Sequence, residues 1–107
     1  MNVYLKEGFT FIPLWNENKE SEEKDQIKIY FEFPSGESAL NVFDDKGKVD
    51  KLKDWLIICK KIENLKVNGV KVTPEGLYKI KGLYDLFMEA KLAYLGESII
   101  DDKKKVK

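Results

Sequence analysis

Residues 62–73 read IENLKVNGVKVT, with Asn68 and Gly69 set between Leu65/Val67 on one side and Val70/Val72 on the other. An Asn-Gly pair supplies the two positive φ values of a type I′ turn, so this stretch predicts a β-hairpin. Thr73 and Pro74 follow at once, a capping residue and then a proline at the first helical position. A helix is therefore predicted to begin there, with an interruption near Gly82.

Downstream, the spacing predicts a last helix over about Gly82 to Leu95. Leu83, Leu86, Phe87, Ala90, Ala93 and Tyr94 fall on one face, the expected core stripe. At 100° per residue Tyr84, Met88, Leu92 and Leu95 gather on a second arc, with Asp85 and Glu89 as the main polar side and Lys91 between the two apolar arcs. A helix this apolar is either deeply buried or has a second partner, so Tyr84, Met88, Leu92 and Leu95 are the candidate partner-binding residues. Gly96 is a helix stop. Glu97 to Lys107 is expected to be a flexible charged tail, leaving residues 1–96 as one domain.

Upstream of the hairpin, Leu52, Trp55, Leu56, Cys59 and Ile62 recur at spacings of three and four, which predicts a helix from about Asp50 to Lys61. Ile57 and Ile58 fall off that stripe and leave a strand through Trp55 to Cys59 as the alternative. Ile27 to Phe33 alternates cleanly, with Ile27, Ile29, Phe31 and Phe33 on one face and Lys28, Tyr30 and Glu32 on the other. Phe9 to Leu14 reads as an earlier strand that ends at Pro13 or lies at an edge. The intervening Asn16 to Gln26 holds five acidic residues and two lysines and reads as a surface loop. A loop that short favours antiparallel pairing of the two strands. Glu37 to Phe43 reads as a short helix. The expected fold is α+β: a small antiparallel sheet, made of two N-terminal strands plus the hairpin, packed against two or three helices.

Composition narrows the function. Histidine and arginine are both absent from the 107 residues, and Cys59 is the sole cysteine. The usual general base at neutral pH and the planar fork that grips phosphate or carboxylate are missing, so no catalytic centre can be argued and none is expected. Neither a Cys/His cluster nor a cysteine pair exists to hold a metal or form an internal disulfide, and no cofactor is expected. Cys59, inside an apolar segment, reads as a buried inert thiol. Nineteen basic and nineteen acidic residues cancel, which argues against nucleic acid and anionic membranes as partners. No leader-like or membrane-spanning stretch is present, so the expected location is the cytoplasm.

Three constellations have plain readings. Asp44, Asp45 and Asp50 around Gly47 lack the alternating ligands of a calcium loop and read as a solvated turn. Lys103, Lys104, Lys105 and Lys107 are nearly cancelled by Glu97, Asp101 and Asp102. Trp15, at the end of a strand, reads as a core plug.

Taken in order, Phe9, Phe11, Pro13, Trp15, Asn16 and Asn18, the strand and proline of Ile27 to Pro34, the hairpin of Ile62, Asn64, Leu65, Val67, Asn68 and Gly69, and the helix of Leu83 to Leu95 before a charged tail resemble the small tail assembly chaperones of long-tailed bacteriophages and prophages. The similarity spans most of the chain. Ser35 to Lys48 departs from it, lacking the Glu/Arg-rich helix that the family pattern places after the proline. The resemblance implies a non-enzymatic protein of the bacterial host cytoplasm that binds the tape measure protein and the tail tube protein. It also implies a longer product made by ribosomal slippage if Lys103 to Lys105 are encoded by an adenine run. Two other classes fit the same residues: a tail completion or connector protein retained in the virion, and a small nucleic-acid-binding accessory protein. Association with further copies of itself is compatible with each.

Overall fold

The computed structural model describes residues 1–101. Lys103 to Lys105 and Lys107, the lysines weighed above, lie outside the described residues, as does the question of an extended product. Along the chain come β1 (Gly8–Phe11), two 3₁₀ segments (Trp15–Glu20 and Glu23–Asp25), β2 (Lys28–Glu32), α1 (Gly36–Leu40), α2 (Lys51–Ile58), β3 (Cys59–Glu63), β4 (Lys66–Val67), β5 (Val70–Lys71), α3 (Pro74–Lys79) and α4 (Tyr84–Gly96). The fold is α+β.

β2 is the central strand of an antiparallel sheet ordered β1-β2-β3. Its alternation sorts the two faces: Ile29 and Phe31 are fully buried beneath the helices, while Lys28, Tyr30 and Glu32 point the other way. Opposite them lie Thr10 from β1 and Lys61 and Glu63 from β3. The sheet therefore has one helix-covered face and one open polar face. Phe9 stacks on Phe31 and on Phe33, so β1 adds aromatic area to the covered side. Gly8 is required where it stands, because a Cβ there would collide with the Phe31 carbonyl oxygen.

The hairpin forms as expected, with Asn68 at φ 51° and Gly69 at φ 79°, and Val67 pairing with Val70. Its place in the sheet differs from the expectation. β4 and β5 make a separate two-stranded ribbon, and the third strand of the main sheet is β3, which follows α2 without a loop. The helix predicted to reach Lys61 thus ends at Ile58. The cause is a bulge: Phe31 pairs with Cys59 while Tyr30 pairs with Lys61, so Lys60 is an extra residue. Cys59 and Ile62, three apart, both become buried, and a bulged strand thereby imitates helical spacing.

The predicted first strand is likewise shorter, ending at Phe11, and Pro13 beyond it is fully buried. Asp50 caps α2 by accepting from the Leu52 and Lys53 N–H groups, and Thr73 caps α3 by accepting from Gly76. Gly82 at φ 94° separates α3 from α4, the interruption expected there. Trp55 sits where the helices meet, its indole N–H donating to the Pro74 carbonyl at 2.8 Å and its ring 4.7 Å from Phe87.

The chain after α4 does not leave the domain at Glu97. Lys6 N–H donates to Ile99 O at 2.8 Å and Asp101 N–H to Tyr4 O at 2.7 Å, with Lys6 and Glu97 in a 2.8 Å ion pair. Residues 97–101 lie along the segment that precedes β1, with Leu5 bridging Ile100.

Candidate partner-binding face

Helix α4 carries large apolar residues on two separate arcs of its circumference. Leu86 and Ala90 are fully buried, with Leu83 just before the helix at 4 % exposure, and Phe87 and Tyr94 pack on the same core. The residues of the second arc point away from it. Tyr84 is 68 %, Leu92 61 % and Leu95 66 % exposed, and Met88 between them is half-buried. Their centre lies about 150° around the helix from the buried stripe. Among the described residues no element covers Tyr84, Leu92 or Leu95, and three large apolar side chains clustered on one arc are not dispersed surface residues.

Glu89 departs from its expected role as part of the exposed polar side. Its carboxylate reaches 75 positions back along the chain, accepting from Leu14 N–H at 2.6 Å and from Trp15 N–H at 3.0 Å. Such charge-assisted bonds to backbone donors are among the stronger ones a side chain makes. They pin the turn after Pro13, in which Asn16 and Glu17 both adopt left-handed backbone angles, φ 51° and φ 57°. Trp15 folds inward against the core, and Leu14, 66 % exposed, is held beside the Glu89 turn of α4. Leu14 is thereby anchored to α4 about 100° around the helix from the centre of the apolar arc, on its Asp85 side. Replacing Glu89 by Ala should free both amides. Hydrogen exchange at Leu14 and Trp15 is expected to accelerate about tenfold or more while the core of β2 stays protected.

Next to this face, α2, α3 and α4 enclose a groove of about 380 Å³ lined by Val49, Trp55, Ile58, Tyr78 and Phe87, with Lys51, Asp54 and Lys91 at its rim. Lys91, which lies between the two apolar faces of α4, separates the groove from the exposed arc.

Elsewhere the polar groups are spent on structure. Asn18 is buried, and its amide donates to the carbonyls of Pro13 and Ile27 while its oxygen accepts from Ile27 N–H at 2.6 Å. Asp44 accepts from Lys46 and Lys48 N–H, closing the turn at Gly47 that held the clustered aspartates. Among the described residues no group of three or more acidic, cysteine or histidine side chains converges on a point. On the open sheet face Tyr30 and Lys61 both engage Glu63, holding its carboxyl below the usual range, first through the Tyr30 hydroxyl and then through Lys61. The same bond to Glu63 raises the Tyr30 hydroxyl. Cys59 is buried, and loss of solvation pushes its thiol up to about 12. No helix among the described residues is long and apolar enough to cross a membrane.

Comparison with protein-family models, with curated proteins and with solved structures finds no match. What the chain can do is therefore argued from its surface, and its main unpaired feature is apolar area on α4.

Proposed function

We propose that this chain is a non-enzymatic tail assembly chaperone of a long-tailed bacteriophage or prophage, which binds the tape measure protein and brings tail tube subunits to it in the host cytoplasm. The observation that carries the reading is the uncovered apolar arc of Tyr84, Met88, Leu92 and Leu95. The order of segments resembling that family supplies the identity of the partners.

A tape measure protein exposes long apolar helical surface until the tube encloses it. A small partner with its own apolar helix face covers such a surface by helix-to-helix packing and prevents aggregation. The half-buried Met88 at the middle of the arc suits that task, because an unbranched thioether adapts to varied partner side chains.

Co-expression with a tape measure protein from the same phage or prophage tests the reading. The tape measure protein is expected in the soluble fraction with this chain bound to it. A tape measure protein that is equally insoluble with and without the chain, and that captures none of it, rules the function out.

A further inference from the structure

We propose that the outer face of α4 is also a self-association surface, on which two copies of this chain pair with their α4 helices parallel. The inference goes beyond the tail-assembly reading and does not depend on it.

Area comes first. Tyr84, Leu92 and Leu95 are each roughly two-thirds exposed, and Met88 lies among them. Together they present on the order of 400 Å² per copy, so about 800 Å² for a pair, which is below the roughly 1,200 Å² of stable specific interfaces and in the range of weak, transient ones. A weak, reversible dimer is the expected product. The chain carries nineteen charges of each sign, so no long-range repulsion opposes it.

Charge then fixes the orientation. Met88 is the centre of the arc, with Asp85 three residues before it and Lys91 three after. These two lie about 60° to either side, so one flank of the apolar stripe is acidic and the other basic. Both are exposed, and neither has an ion-pair partner among the described residues. In an antiparallel pair the two-fold axis crosses the helices and keeps each flank on its own side. Lys91 then shares a flank with Lys91 of the other copy, and Asp85 with Asp85, each offset by roughly 9 Å about Met88. In a parallel pair the axis runs along the helices and exchanges the flanks. Each Asp85 then shares a flank with Lys91 of the other copy, offset by roughly 9 Å along the axis, most of which a lysine stem spans. Opposite charges thus share both flanks only in the parallel arrangement, which favours it electrostatically.

Sedimentation of the full chain between about 10 and 500 µM at low salt provides the test. The wild type is expected to shift from monomer to dimer across that range. Asp85→Lys alone and Lys91→Glu alone are each expected to weaken association about tenfold, because each places like charges on both flanks. An equimolar mixture of the two variants is expected to recover it, since both flanks then carry opposite charges again. As a second reading, Leu95→Cys should form a disulfide-linked dimer on mild oxidation, because a parallel pair brings the two copies of that position together while the buried Cys59 stays unreactive. A wild type that remains monomeric to 500 µM overturns the proposal and leaves the tail-assembly reading untouched. A mixture no tighter than its components, or an absent Leu95→Cys cross-link, overturns the parallel geometry.

Discussion

Replacing Asn18 by Ala should cost about 3–5 kcal/mol of folding stability, measured as a shift of the urea midpoint with an unchanged slope. The side chain is 5 % exposed and satisfies three backbone groups at once: the Ile27 N–H, the Ile27 carbonyl and the Pro13 carbonyl. Removing it leaves these groups without partners at a buried position, at about 1–3 kcal/mol each. Since small domains have about 5–15 kcal/mol in total, the loss is a large share of what holds the fold. Asn18→Asp separates this explanation from simple loss of volume. It keeps the acceptor for Ile27 N–H but turns a carboxylate toward two carbonyl oxygens, so it should be destabilised as well although its size is unchanged. A stable Asp variant would contradict the hydrogen-bond account.

The second large effect concerns Cys59. With its thiol pushed up to about 12 by burial, its thiolate fraction at pH 8 is on the order of 10⁻⁴, against roughly a quarter for an ordinary cysteine. Alkylation by iodoacetamide should therefore be about 10³-fold slower in the native protein than in denaturant. The same shift has a consequence for stability. Because the folded value lies above the unfolded one, the contribution is fully present below about pH 9 and is lost as pH rises toward 12, with a slope approaching ~1.4 kcal/mol per pH unit. Cys59→Ala should flatten that part of the alkaline stability profile. Rapid native alkylation would show that the segment joining α2 to β3 opens readily.

These two residues also mark the limits of what the sequence discloses. Asn18 lies among charged residues in a stretch that reads as a solvated loop, and nothing in its neighbours signals that its partners are backbone groups nine and five positions away. Cys59 was legible as buried but not as the first residue of a strand. The bulge at Lys60 sets Cys59 and Ile62 three apart on one face, the spacing by which a helix is recognised. The hairpin was legible because a type I′ turn demands particular residues locally, and β2 because a single strand with one covered face must alternate.

The candidate face divides in the same way. That α4 has two apolar arcs follows from arithmetic on its own residues, and Tyr84, Leu92 and Leu95 indeed lie outside the core. Leu14 and Glu89 could not be assigned from the sequence, since their pairing joins segments 75 positions apart through a carboxylate and a backbone amide. Nor could the course of residues 97–101, whose charges suggest solvent while their backbone bonds to Tyr4 and Lys6.

The central claim is that the outer arc of α4 binds a partner while its inner stripe holds the fold. It is tested most directly by measuring tape measure binding to the Leu92→Glu/Leu95→Glu variant. Because both side chains are more than half exposed in the isolated domain, circular dichroism and the melting temperature should stay close to wild type, whereas two charges forced into an interface without partners should weaken binding at least about 100-fold. A variant that unfolds, or one that stays folded and binds as the wild type does, would contradict the account.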